Sequence, residues 1–138
     1  LCSYLQLRIM MPFWIWNRNN PYVASGGIVS NIGDVLKYLA LQVESDEPYI
    51  TKAHKACESS QLKGDSHLAC LGWHTYKNSN QLWHIGGAGT FRACVIANKR
   101  LKLGVAVLGN AKGKSKVNTR YISNMIYKEL KLKHINLE

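Results

Sequence analysis

The stretch Gln81-Leu82-Trp83-His84-Ile85-Gly86-Gly87-Ala88-Gly89-Thr90-Phe91-Arg92-Ala93-Cys94-Val95-Ile96-Ala97 decides how this chain is read. Two runs rich in aromatic and aliphatic residues, 81–86 and 91–97, flank a block of small residues, and short runs bounded by turn-formers are the signature of strands. The same signal recurs upstream at residues 68–76 and downstream at 103–108. The connections Lys77-Asn78-Ser79-Asn80 and Asn98-Lys99-Arg100 are hairpin-sized, so the four runs predict an antiparallel meander. Residues 103–108 are apolar at nearly every position, which predicts a strand buried on both faces with helices on each side of the sheet.

Helical spacing brackets these runs. Upstream, after an irregular lead-in over residues 1–21, Ala24-Ser25-Gly26-Gly27 reads as a tight turn. Ser30 or Asn31 can then cap a helix whose first turn carries Asp34, where the helix dipole favours a negative charge. Ile32, Val35, Leu36, Leu39, Ala40 and Val43 follow the spacing of one buried face. A second helix is expected from Asp46, with Pro48 in its first turn and Tyr49, Ala53, Ala56 and Cys57 on one side. A last helix is expected over residues 115–132, with Val117, Tyr121, Ile122, Met125, Ile126 and Leu130 as its apolar stripe. Helices over 22–67, strands over 68–110, then a helix make an α+β fold: an antiparallel sheet with flanking helices in one partial domain, residues 1–138.

Composition narrows the class. With 138 residues, 46% hydrophobic and 19% charged, the chain is neither disordered nor collagen-like. No run approaches the roughly 18 apolar residues of a membrane span, and residues 1–16 are broken by Gln6 and Arg8 without a small-residue cleavage site. The chain opens on Leu1 rather than Met, as a processed or excised piece would. Cys2, Cys57, Cys70 and Cys94 include no C-x-x-C pair, and Cys70 and Cys94 in apolar runs are expected to be buried free thiols. The net charge of +10 is lopsided: residues 99–138 hold ten Lys/Arg against two Glu. A basic end can steer anionic partners, so an anion- or nucleic-acid-binding module is an alternative, although no aromatics interleave with the lysines.

Three motifs compete for the chemistry. In the first, His84-Ile85-Gly86-Gly87-Ala88-Gly89, four small residues in a row let a carbonyl approach the backbone. A strand edge with free N–H groups there can form half of an oxyanion hole beside His84, or the segment is simply a glycine-rich turn. The second, Gly109-Asn110-Ala111-Lys112-Gly113-Lys114-Ser115, makes a phosphate-loop nucleotide binder a further alternative, but it is one residue short of that loop and no strand ending in Asp follows it. The third is a pair of partial words, Ser60-Gln61-Leu62-Lys63 and Tyr76-Lys77-Asn78; ten serines and thirteen lysines make a chance S-x-x-K expected. The scattered histidines make no metal-ligand spacing, so neither metal nor cofactor is implied.

In order along the chain, Ala24-Ser25-Gly26-Gly27-Ile28-Val29-Ser30-Asn31-Ile32-Gly33-Asp34, Leu71-Gly72-Trp73, His84-Ile85-Gly86-Gly87, Gly89-Thr90-Phe91-Arg92 and the run into Asn110 resemble the C-terminal part of the serine β-lactamase-like family. That family includes class C β-lactamases, D-alanyl-D-alanine carboxypeptidases and esterases. The resemblance implies the C-terminal part of a β-lactamase/transpeptidase-like fold. It places His84-Ile85-Gly86 at the third motif, K-T-G or H-x-G, with His84 bonding the substrate or neighbouring catalytic groups. The Gly87 N–H would be an oxyanion donor, and Ile85, Gly86 and Ala88 would line the substrate. Ile85 replaces a threonine whose hydroxyl could bind a substrate carboxylate. The family's nucleophilic serine, lysine and tyrosine would lie upstream, in a missing N-terminal part of the same protein. The implied substrates are small esters, amides, β-lactams or peptidoglycan-type molecules, the implied location is the cell envelope or outside the cell, and no nucleic acid is expected.

Overall fold

The structure, a computed structural model, describes residues 19–58, 67–110 and 118–136. The elements run α1 (Val23–Gly26), α2 (Ile32–Glu44), α3 (Pro48–Glu58), β1 (His67–Ala69), β2 (His74–Tyr76), β3 (Leu82–Ala88), β4 (Phe91–Asn98), β5 (Leu103–Asn110) and α4 (Thr119–Ile135). Among the described residues the strands form one antiparallel five-stranded sheet in sequential order. The α+β layout with flanking helices is the one the sequence predicts.

The α2 helix begins where its capping chemistry dictates. Asn31 accepts from the Asp34 N–H at 3.1 Å, and its own amide donates to the Asp34 carboxylate at 2.7 Å, so side chain and first turn satisfy each other. At the far end Lys99, in the β4–β5 turn, donates to the Ser45 carbonyl at 2.7 Å and pairs with Asp46 at 2.9 Å. A cation at a helix C-terminus opposes the dipole's negative end, so this lysine helps hold α2 on the sheet.

Two layers cover the sheet, one per face. Leu39 and Val43 of α2 pack with Trp73, Leu82 and Ala97 on one face. Tyr127 of α4 packs with Trp83, Cys94, Ile96 and Val105 on the other. Strand alternation explains the division, since Leu82 and Trp83, or Val105 and Ala106, point to opposite sides. Helices lie on both sides of residues 103–108 as expected, but full burial of the strand is not found: Val105 alone of the six is buried and Leu108 is exposed. Gly104 brings α2 close: a Cβ there would lie 3.1 Å from Leu39 Cβ.

Several expectations are corrected. Residues 68–76 are not one strand but a hairpin, with β1 and β2 paired His67 to Tyr76 through Ala69 to His74. Gly72 at φ +74° reverses the chain, and the Cys70 N–H donates to the Trp73 carbonyl at 2.8 Å. An apolar run cannot reveal a reversal that rests on one backbone angle. Cys70 is in a disulfide, not a free thiol; Cys94 is the buried free thiol the sequence suggests. The Ala24–Gly27 turn is a single helical turn, α1, closed by the Gly27 N–H on the Val23 carbonyl. Within α2, Ile32, Leu36 and Ala40 are exposed while Gln42 is buried. In α3 it is Ile50, not Tyr49, that is buried.

The largest correction concerns α4, described from Thr119 to Ile135. It turns Thr119, Ser123 and Tyr127 inward, and the anticipated stripe residues Tyr121 and Met125 are 63% and 51% exposed. Tyr127 has a polar partner in the sheet. Asn98 Nδ2 donates to the Tyr127 hydroxyl at 2.7 Å, and the fully buried Ser123 hydroxyl lies near the Cys94 thiol without a hydrogen-bond partner among the described residues. Helical periodicity fixes which residues share a face, not which face meets the sheet. Residues 1–16, Ser60–Lys63 and Ala111–Val117 lie outside the described residues.

Candidate active site

The β3–β4 hairpin carries the first motif, and its turn is tighter than the sequence suggests. Ala88 pairs with Phe91, leaving only Gly89 and Thr90 between the strands. Gly89 has φ +56° and Thr90 stays outside the left-handed region, as a type II′ turn requires of its two central residues. Gly87 and Ala88 therefore belong to the strand, and β3 reaches Ala88 instead of ending at Gly86.

That extension matters because β2 does not follow it. The β2–β3 pairing holds His74 to Trp83 and Thr75 to Leu82. From His84 to Ala88, β3 has β4 on one side and, among the described residues, no strand on the other. In a two-residue hairpin the closing pair is hydrogen-bonded and successive pairs alternate. Counted from Ala88–Phe91, the pair Gly87–Arg92 is a non-bonded one, so the Gly87 N–H turns away from β4 toward the open edge, as does that of Ile85. Open strand edges carry unmet backbone donors and acceptors, which a substrate can satisfy.

Side chains frame this edge. Strand alternation sends His84, Gly86 and Ala88 to the α2 face and Ile85 and Gly87 to the α4 face. Gly86 leaves open space, with nothing within 4 Å of a Cβ built there. The His84 ring is exposed and lies 5.5 Å from that of His74, which in turn stacks on Trp83 at 4.7 Å. A ring on β2 meets neighbours from both faces of β3 only at the strand edge, so this contact places the His84 ring at the open edge.

Two residues of this region were missed in the sequence. Arg92, opposite Gly87, folds its side chain over the glycine: a Cβ on Gly87 would stand 3.1 Å from both Cδ and Nη1 of Arg92. Its Nη1 donates to the carbonyls of Gly89 and Phe91 at 3.0 and 2.7 Å, which fixes a guanidinium beside the Gly87 N–H. Reading Gly89-Thr90 as the two-residue turn would have found it, because that register sets residue 92 across from 87. His74 is the other, and its proximity depends on the Gly72 reversal. At the same end of the sheet, Thr90 donates to Asn110 Oδ1 at 2.8 Å.

The other motifs fall elsewhere. Gly109 and Asn110 end β5, and the remainder of the phosphate-loop-like segment lies outside the described residues, as does Ser60–Lys63. Tyr76 ends β2 and Asn78, at φ 62°, shapes the following turn, so Tyr76-Lys77-Asn78 forms a hairpin connection. Among the described residues, no group of three or more His, Cys, Asp or Glu could hold a metal ion, and no helix is long and apolar enough to cross a membrane.

A family model described as Beta-lactamase matches residues 7–125. The chain belongs to the beta-lactamase family. The match spans the helices, all the described strands and the start of α4, so it covers the hairpin that carries His84 and Gly87. This membership establishes a serine-hydrolase-type relationship and accounts for the antiparallel sheet with flanking helices. No curated protein matches the chain.

Proposed function

We propose that this beta-lactamase family chain supplies the substrate-side wall of a serine acyl-transfer site, with the Gly87 N–H as one oxyanion donor. The observation that carries the proposal is the open edge of β3, where register and alternation aim that N–H away from β4. In the reaction, a serine oxygen attacks an ester or amide carbonyl and forms a tetrahedral anion. The Gly87 N–H and the nucleophile's own N–H stabilise it, the leaving group departs with a proton, and water then cleaves the acyl-serine bond to release the acid. His84 stands at the edge to bond the substrate or the groups that move the proton. Ile85, Gly86 and Ala88 line the substrate's path, and the open space over Gly86 leaves room for it.

The nucleophile, its lysine and the second-motif tyrosine belong, on this reading, to an upstream part of the same protein, and the chain alone is inactive. Ile85 offers no hydroxyl to a substrate carboxylate, but the Arg92 guanidinium shares its face of the sheet and favours substrates with an anionic group near the reacting carbonyl. Small esters, amides, β-lactams and peptidoglycan-type substrates all fit this chemistry. The disulfide at Cys70 supports a cell-envelope or extracellular setting, where disulfides persist.

The test compares hydrolysis of p-nitrophenyl esters and a chromogenic β-lactam by this chain and by the same chain extended by its in-frame upstream sequence. Turnover only in the extended protein, lost in Gly87→Pro, is the expected result. Turnover by the 138-residue chain, abolished by Ser60→Ala, would overturn the assignment of the nucleophile.

A further inference from the structure

We infer that His74 is a positioning residue for His84: clamped on Trp83, its ring forms the wall that holds the His84 imidazole at the open edge of β3. This inference rests on the reading of that edge as an acyl-transfer wall and adds a residue that no motif of the sequence marks.

Trp83 is buried, and the guanidinium carbon of Arg120, from α4, sits 4.3 Å from its ring centroid. Arg120 is itself anchored, since it donates to the Tyr76 hydroxyl. The His74 ring stacks on Trp83 at 4.7 Å with 25° between the planes, and the His84 ring follows at 5.5 Å and 33°. Four planar groups from α4, β3, β2 and β3 thus make a file of successive neighbours that ends at the exposed His84 ring. Each ring narrows the freedom of the next.

An exposed histidine without such a neighbour would sample several rotamers, and reaction at the edge would then require ordering it. The file does that ordering in advance. It acts through the shape and π-face of a flat ring at position 74, so an aromatic replacement should preserve it. Among the described residues, the elements paired with or packed on the two strands here bring small side chains to the pair. Ala69 of β1 stands opposite His74, and α1, which packs against β3, is built of Val, Ala, Ser and Gly.

The test measures order in the His84 ring by side-chain ¹³C relaxation of the 138-residue chain labelled at histidine. In the unmodified chain the ring should show an order parameter above ~0.8, typical of rigid groups. His74→Ala should lower it below ~0.6, and His74→Phe should restore it. A disordered His84 ring in the unmodified chain overturns the inference. So does an equally ordered ring in His74→Ala, or a failure of His74→Phe to restore order while near-ultraviolet circular dichroism shows the tryptophan environment intact. Should His74→Ala fail to fold, His74→Gln replaces it, with the same loss expected. Ring order is read without turnover, so an extended protein that hydrolyses nothing would defeat the proposed function and leave this result standing.

Discussion

The guanidinium of Arg92 occupies the space over Gly87 that any other residue would fill with its Cβ, 3.1 Å from Arg92 Nη1. The neighbour in the way is a flexible side chain, so Gly87→Ala should displace Arg92 without unfolding the hairpin. The denaturation midpoint should correspond to a loss under about 1 kcal/mol, in line with changes away from the core. In the extended protein, kcat/KM for a carboxylate-bearing ester should fall more than for a neutral one. Gly87→Pro removes the N–H itself and should cost about 10²–10³ in kcat, the size expected for one oxyanion donor.

Tyr127→Phe should destabilise the protein by about 1–3 kcal/mol. Its hydroxyl accepts from Asn98 Nδ2 at 2.7 Å, and removing it leaves a buried amide donor unmet. The Asn98 Oδ1 keeps its bond from the Leu101 N–H, so the β4–β5 turn should survive. Chemical denaturation of the variant against the unmodified chain measures the difference.

Cys94 should resist alkylation in the native state. Burial pushes its thiol up from the ordinary range, outweighing the nearby Ser123 hydroxyl and the Arg120 charge that pull it down, and the residue is 1% exposed. At pH 8 its reaction with iodoacetamide should be at least about tenfold slower than that of an unstructured cysteine, because the thiolate is the nucleophile. Mass spectrometry after timed quenching reads the rate, and denaturant should restore it.

Reduction should loosen the β1–β2 hairpin. Disulfides typically contribute about 2–4 kcal/mol, so a reducing agent, or Cys70→Ser, should lower the denaturation midpoint accordingly. The two treatments should not add when combined. Parallel unfolding curves with and without reductant test this.

The Lys99 hydrogen bond, with its charge in second place, holds the Asp46 carboxyl below its ordinary value of 3.8. A carboxyl lowered on folding adds stability above the unfolded value, and that stability is lost as pH falls through the folded one. Asp46 is 94% exposed, so the effect is small and salt-screened. Asp46→Asn should shift the midpoint slightly at pH 6 and not at all at pH 2, or in 1 M salt, by thermal denaturation.

Local signals carried most of the fold. The α2 helix was legible because Asn31, Asp34 and the spacing of Leu39 and Val43 all act within a few residues of one another. The β3, β4 and β5 strands were legible because alternation and turn residues are local as well. His84 could be placed on β3 for the same reason, whereas Gly87 lay beyond the expected end of that strand and Arg92 and His74 could not be linked to them. Their proximity depends on where two hairpins reverse, and each reversal is set by a glycine angle, at Gly89 and Gly72.

By itself the sequence determined the helix–sheet–helix sequence, the antiparallel meander and the small-residue block beside His84, since each follows from short-range periodicity and turn chemistry. Only the tertiary structure decided which edge of β3 stays open, which face α4 presents to the sheet and which rings line up behind His84. Those outcomes depend on what lies opposite a residue. Tyr127 faces inward because Asn98 awaits it, while Tyr121 and Met125 are left outside. A pattern along one chain does not encode the partner across the gap; the packed sheet does.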